Sequence, residues 1–406
     1  MPRRKTLVDA VRRRAATDAA GLADVDAVVH FSDGTTEVSI RIAHGTVHVL
    51  PESAVPTTRI SADPKTLLNV VEGKESGVAA FLDGRLKVDG DLSLSLRLDG
   101  VFAASDERPA RFPRSAMVQA GRTRTFHLEA GPADAPPVVL LHGLGATNAS
   151  LLPTLWDLAA DYRVLAPDLP GHGASAAPYG AYDARFFARW LAAYLDAVGV
   201  ETCVLLGNSL GGRVALEVAL LEPTRVSGLI LLAPAVAFRR LRQFVPVVRL
   251  ARSEAAALPL PMTRGMARVT LRRMFSQPAR LTAQSYDAAA GEFVRVYKRA
   301  AYRVAFFSSL KQIYLDDAFG EEGFWRRLPS LAPPALFLWG DRDRLVPSGF
   351  ARHVAAALPA ARSVVLPDCG HVPQFEHPDR THQEVRAFLR ELAGTGTSRR
   401  TPAPGA

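Results

Sequence analysis

Ser209, Asp343 and His371 are the residues whose types and order could do covalent chemistry together. Ser209 stands in Gly207-Asn208-Ser209-Leu210-Gly211, after the apolar run Cys203-Val204-Leu205-Leu206 and before Arg213-Val214-Ala215-Leu216-Glu217-Val218-Ala219. That pattern predicts a buried strand turning sharply into a helix with a serine at the corner. Glycines at 207 and 211 remove Cβ atoms that would collide in so tight a turn, and the helix start presents free N–H groups to incoming negative charge. Serine at neutral pH is a poor nucleophile and needs a base, and the base needs a group to orient it. Two later loops supply them: Gly340-Asp341-Arg342-Asp343 after Ala335-Leu336-Phe337-Leu338-Trp339, and Asp368-Cys369-Gly370-His371 after Val364-Val365-Leu366.

The elements that must position these side chains follow from the apolar patterning. Strands are predicted at 124–129, 137–142, 163–166, 203–207, 228–232, 335–339 and 363–366, with helices at about 149–160, 183–198, 210–221, 349–357 and 378–392. Such alternation argues for a mainly parallel sheet covered on both faces, an α/β fold. All strand C-termini of a parallel sheet share one edge, so residues 209, 343 and 371 are expected to meet despite their separation in sequence. The stretch 235–330 breaks the alternation and reads as an inserted helical cap. Residues 394–406 read as a disordered tail.

Residues 1–104 behave differently. Short alternating runs at 27–31, 37–42 and 46–50 are separated by Ser32-Asp33-Gly34 and His44-Gly45, which is hairpin chemistry. Asp63 can cap a helix with Pro64 in its first turn. An apolar alternation at Leu92, Leu94, Leu96 and Leu98 follows Gly84-Arg85-Leu86-Lys87-Val88-Asp89-Gly90-Asp91. These residues form a small α+β unit, and 105–119, polar and proline-bearing, reads as the linker to the domain at 120–393.

Charge is unevenly placed. The chain of 406 residues carries a net +9, yet Phe238 to Arg303 alone holds fourteen Lys/Arg against Glu254, Asp287 and Glu292. Interleaved with Phe244, Val247, Leu250, Leu258 and Leu260, those charges suit an anionic lipid surface, an acidic substrate or simply a solvated face. No recognition motif accompanies them, so nucleic acid is not expected. Two cysteines, Cys203 and Cys369, make no disulfide framework, and with no signal peptide and no run of transmembrane length a cytoplasmic protein is expected.

Two resemblances add to this reading. Ile60-Ser61-Ala62-Asp63-Pro64-Lys65-Thr66-Leu67-Leu68, the 84–91 stretch and the leucines after it resemble the sterol carrier protein 2 (SCP2) family, which implies a lipid-binding or substrate-presenting module over about the first hundred residues. Thr123 to Leu392 resembles the α/β-hydrolase superfamily: His142-Gly143-Leu144-Gly145, Asp168-Leu169-Pro170-Gly171-His172-Gly173-Ala174-Ser175, the turn at Ser209, Trp339-Gly340-x-x-Asp343 and Gly370-His371 occur in the right order. That resemblance implies Ser209 as nucleophile, His371 as general base and then acid, and Asp343 as its orienting carboxylate. Asp341 is the rival carboxylate, on the opposite side of an extended backbone. The amides of Leu144 and Leu210 are the implied oxyanion hole.

His142, His172 and Asp168 read as loop braces, and neither a metal nor a cofactor is expected. Arg213 reads as a surface ion pair or as a partner for a substrate carboxylate. The expected activity is hydrolysis of a lipophilic carboxylic ester, of lipase or carboxylesterase type. The alternatives are a carbon–carbon bond hydrolase of ring-fission products, suggested by Gly207 to Gly212 and Asp368 to His377, or a lipid carrier with an inert hydrolase half. Val372, where that subgroup often has tryptophan, ranks carbon–carbon cleavage second.

Overall fold

The computed structural model describes residues 6–15, 22, 25–51, 55–101, 109–237 and 244–397. Strands β1 (Asp26–Ser32), β2 (Glu37–Ala43) and β3 (Thr46–Leu50) form an antiparallel meander. With β4 (Thr58–Ala62) and β5 (Leu86–Gly90) they make a five-stranded sheet in the order β3-β2-β1-β4-β5. The first hairpin turn closes as its residues dictate: Asp33 Oδ1 accepts the amides of Thr35 and Thr36 at 2.9 and 2.6 Å while Gly34 takes φ 85°. Asp63 caps helix Pro64–Val71 through the amides of Lys65 and Thr66. The N-terminal basic stretch forms helix Leu7–Ala15, and residues 16–21 lie outside the described residues.

Leu92, Leu94, Leu96 and Leu98 alternate as a strand would, yet they lie in helix Leu92–Val101 and all four are buried. The helix buries leucines on more than one side, and Ser93 and Arg97 between them, because it is enclosed: one side lines a cavity within the first domain and another packs on the second. Asp91 starts it, accepting the Leu94 amide at 2.9 Å.

The second sheet has eight strands: β6 (Arg114–Ala120), β7 (Thr123–Ala130), β8 (Pro137–Leu141), β9 (Arg163–Pro167), β10 (Cys203–Asn208), β11 (Val226–Leu232), β12 (Ala335–Gly340) and β13 (Arg362–Leu366). Their order is β13-β12-β11-β10-β8-β9-β7-β6. Neighbours from β13 to β9 run parallel, and β7 and β6 are antiparallel additions at one edge. Alternate residues divide between two cores: Val138 and Leu140 pack on one face with Phe388 and Leu389, Val139 and Leu141 on the other with Phe187 and Val214. The first of these cores continues into the N-terminal domain through Leu94, Leu96 and Leu98.

Strand β6 occupies 114–120, most of the second half of the segment read as a linker. It is an edge strand, largely open to solvent, so its side chains carry too little apolar alternation to announce it. Residues 105–108 of that segment, with 102–104 before it, lie outside the described residues. The last helix, Pro378–Thr397, runs four residues into the tail, and residues 398–406 lie outside the described residues.

Between β11 and β12 the described residues form helices and no strand: Val245–Leu250, Arg264–Arg272, Ala283–Tyr297, Ala300–Leu315 and Phe324–Arg327 are the α-helices. This is the cap. Arg303, buried, holds it together by donating to the carbonyls of Ala256, Ala257, Tyr297 and Lys298 at 2.6 to 3.1 Å. No helix among the described residues is long and apolar enough to cross a membrane.

Candidate active site

Strand β10 ends at Asn208 and helix Leu210–Leu221 begins at Leu210, leaving Ser209 alone at the corner with φ 53° and ψ −114°. An L-residue adopts that conformation only under constraint. The constraint is close packing: a Cβ on Gly207 would lie 2.4 Å from the carbonyl carbon of Gly211, and one on Gly211 would lie 2.0 Å from the Leu141 carbonyl oxygen. The Ser209 amide is itself bonded to the Leu232 carbonyl at 3.0 Å, so the strained residue is tied to the neighbouring strand.

His371 and Asp343 meet. Nδ1 of the imidazole lies 2.7 Å from Asp343 Oδ2, and both residues are buried. With a carboxylate as its partner, Nδ1 carries the proton, which leaves Nε2 of the neutral ring as the basic nitrogen. The other oxygen of Asp343 accepts the amides of Leu345 and Val346 at 2.8 and 3.0 Å, fixing the carboxylate. Asp341 is exposed and instead accepts the Cys369 amide at 3.2 Å, bracing the loop that carries His371.

Two further residues fasten the histidine loop, and neither was singled out from sequence. Asn208 donates its side-chain amide to the carbonyls of Leu232 at 3.0 Å and His371 at 3.2 Å, joining the serine corner to the histidine loop. Glu376 accepts the amides of Gly370 and Ser276 at 2.7 Å, and the His371 amide donates to the Met274 carbonyl at 2.8 Å. The loop is therefore stapled to the cap. An acid directly after Val372-Pro373-Gln374-Phe375 was the available signal, since a buried carboxylate requires donors.

Leu144 follows Gly143, where an added Cβ would stand 3.4 Å from Ser209 Cβ, so the loop after β8 lies against Ser209. Leu210 is the first residue of its helix. Among the described residues no internal acceptor takes up the amide of either. The loop is shaped by His142, whose Nδ1 donates to the Gly143 carbonyl at 2.8 Å while Nε2 accepts the Leu169 amide at 2.9 Å. That pattern requires the neutral ring, and burial pushes its pKa down to about 3. His172, donating to the Pro170 carbonyl at 3.0 Å, is likewise held neutral by burial, at about 4. Asp168 accepts the amides of Asn148 and Ala174, both at 2.8 Å, and burial raises it to about 7. These three residues brace loops, as their motifs suggested.

Arg213 fits neither reading made from sequence. It is buried, and it pairs with Asp316 at 2.7 Å and Glu217 at 2.8 Å, so it is committed to the junction of helix 210–221 with the cap. Both cysteines are free and buried, and burial pushes each thiol up to about 12. They pack rather than react.

A pocket opens beside the loop after β8, lined by Gly145, Ala146 and Thr147, by Gly171 and His172, and by Phe293, Val296, Tyr297, Tyr302 and Phe306 of the cap. Its lining starts one residue after Leu144; Ser209, Asp343 and His371 stand outside it.

Comparison with known proteins agrees with this architecture. Residues 136–378 match the alpha/beta hydrolase fold model and residues 8–103 the SCP-2 sterol transfer family. The chain is 32% identical to a dihydrolipoyllysine-residue acetyltransferase component of the acetoin cleaving system of Pseudomonas putida, over 77% of this chain and 80% of that one. It is 30% identical to 2-hydroxy-6-oxononadienedioate/2-hydroxy-6-oxononatrienedioate hydrolase 1 of Dechloromonas aromatica, over 62% and 86%. Among solved structures, a bacterial membrane phospholipase A superposes with a TM-score of 0.59 at 27% identity, covering 81% of this chain and 97% of that one. With its strained serine corner, its parallel sheet and its inserted cap, the chain belongs to the α/β-hydrolase fold family and carries an SCP2-like lipid-binding domain ahead of the hydrolase domain.

Proposed function

We propose that Ser209, His371 and Asp343 are a catalytic triad that hydrolyses an acyl compound. The observation that carries this reading is the buried 2.7 Å contact between His371 and Asp343, with the His371 loop tied to Asn208, the residue before Ser209. In it, His371 Nε2 takes the Ser209 proton as Oγ attacks the substrate carbonyl. Asp343 holds the imidazole tautomer and stabilises its positive form, and the amides of Leu144 and Leu210 receive the oxyanion. The same imidazole then protonates the leaving group, and water repeats the sequence to release the acid.

Which bond is cut divides the reading. The similarity to a hydrolase of ring-fission products favours carbon–carbon cleavage and reverses the ranking made from sequence, where ester hydrolysis came first. The ester reading keeps one specific support: the pocket beside the oxyanion loop is lined by aromatic and small side chains with no arginine or lysine, which suits a neutral acyl chain better than a dicarboxylate. The test offers a dienoic ring-fission product beside p-nitrophenyl acetate and p-nitrophenyl hexadecanoate. Faster turnover of the dienoate assigns carbon–carbon cleavage, faster turnover of an ester assigns an esterase, and no Ser209-dependent turnover of any leaves the lipid-carrier alternative.

The cap supports a peripheral contact with anionic lipid. Phe244, Val247, Leu250, Leu258, Met266 and Val269 are exposed, and residues 244–273 hold six arginines against Glu254 as the single acid. Sedimentation with phosphatidylglycerol vesicles, and not with phosphatidylcholine vesicles, is the expected result. Free buried cysteines agree with a reducing, cytoplasmic setting.

A further inference from the structure

Adjacent residues of one cap helix serve two cavities. In helix Ala283–Tyr297, Phe293 forms part of the wall of the pocket beside the loop after β8, while the adjacent Glu292 reaches into the SCP2-like domain. Its carboxylate accepts Ser93 Oγ at 2.9 Å and the Leu92 amide at 3.2 Å, the start of helix Leu92–Val101. Arg295 binds the same carboxylate at 2.6 and 3.1 Å and Asp91 at 3.3 Å. Gln284, on the same helix, donates to the Leu86 carbonyl of β5 at 3.0 Å. Glu292 is 4% exposed, so its bonds across the domain boundary form out of water, where their loss is costly.

The elements gripped in this way are walls of the first domain's cavity. Leu86 and Val88 of β5 and Leu92 and Leu96 of the helix line it, facing Phe31 and Ile60. The lining is almost wholly apolar, and the open volume is about 40 Å³. That is room for a few waters at most, so an alkyl chain must part the walls before it can enter. The sheet side is knitted by the ladders of β1, β4 and β5 and yields least. The displacement therefore falls on the helical side, which includes the helix whose first residues Glu292 holds.

We infer that the cavity of the SCP2-like domain is an effector site for a single alkyl chain, such as that of a long-chain fatty acid, coupled to the hydrolase site through Glu292 and Arg295. Filling it shifts helix Leu92–Val101, helix Ala283–Tyr297 follows, and Phe293 alters the pocket that receives substrate. Coupling of this kind is reciprocal, so substrate in the pocket changes the cavity's affinity for the chain by the same factor. The inference rests on Ser209 being the nucleophile.

The test uses the full chain with p-nitrophenyl acetate, too short to reach the first cavity, as substrate. Hexadecanoic acid is the added ligand and fluorescent cis-parinaric acid the binding probe. Labelling of Ser209 by a fluorophosphonate is scored first; its absence removes the catalytic reading and this inference with it. Given labelling, hexadecanoic acid is expected to change the hydrolysis rate at least about threefold. Leu96→Trp, which fills the cavity, loses both probe binding and the rate response; Val78→Phe does the same should that variant fail to fold. Ser93→Ala binds the probe as the parent does but has lost the rate response. An equal response in the filled-cavity variant, showing that the acid acts at the active site, overturns the inference. So does a parent protein that binds the probe with no change in rate, or that binds none.

Discussion

The side-chain amide of Asn208 donates to the main-chain carbonyl of His371 at 3.2 Å, a contact that joins residues 163 apart in sequence. Its second hydrogen goes to Leu232 at 3.0 Å, so one buried side chain ties the serine corner, the adjacent strand and the histidine loop. Replacing Asn208 by alanine removes the donor to the His371 carbonyl, while Leu232 keeps the Ser209 amide, a loss of about 1–3 kcal/mol. The expected result is a lower melting temperature together with a fall in kcat larger than the change in KM, because the histidine loop loses its register on Ser209. Stability and steady-state kinetics measured on the same preparation check it.

Ser209 stands at φ 53° and ψ −114°, where alanine is strained as serine is and glycine is not. Ser209→Ala should abolish turnover of p-nitrophenyl esters with an unchanged melting temperature. Ser209→Gly should abolish turnover and stabilise the fold by about 1–3 kcal/mol. Thermal unfolding of the two variants side by side decides; a glycine variant no more stable than the alanine variant counts against stored strain at the corner.

The two carboxylates of the acid loop separate cleanly. Asp343→Asn keeps the shape but allows the wrong imidazole tautomer, and kcat should fall about 10⁴-fold. Asp341→Asn disturbs only a bond to the Cys369 amide and should cost less than about tenfold. Comparable losses in the two would return Asp341 to contention.

Acid stability follows from the buried histidines at 142 and 172, which brace loops, and at 127 in β7. His142 and His172 stay neutral in the fold down to about 3 and about 4, and His127 to about 4, all through burial, whereas the unfolded chain protonates them below about 6.5. Their contribution is complete at pH 7 and is lost as pH falls below about 6.5. Asp168 runs the other way: burial lifts it to about 7, so the fold keeps a proton that the unfolded chain releases above about 4, a contribution lost as pH rises towards 7. Three histidines against one aspartate give a net loss on acidification, each proton weighing about 1.4 kcal/mol per pH unit. His172→Gln should flatten the fall in melting temperature between pH 6.5 and 4.5, and Asp168→Asn should steepen it.

Much of the hydrolase domain was legible in the chain because parallel strands buried on both faces read as short apolar runs, as Val138 to Leu141 and Leu229 to Leu232 do. The edge strand at Arg114–Ala120 was not, since a strand open to water needs no apolar face. The leucines from 92 to 98 misled for the opposite reason: a helix with buried residues on more than one side loses the periodicity that would mark it as one. Arg213 was misplaced because one of its partners, Asp316, belongs to a cap whose docking no local pattern encodes, although the other, Glu217, stands one turn along its own helix.

Taken by itself, the sequence determined the fold class, the serine corner and the order of the three chemical side chains, because those depend on local patterning and on spacing along one sheet edge. Tertiary structure alone decided which aspartate faces His371, what Asn208 and Glu376 hold, and that Glu292 crosses from the cap into the SCP2-like domain. These are contacts between loops and domains far apart in sequence, and their geometry is set by how the cores pack, which no single segment carries.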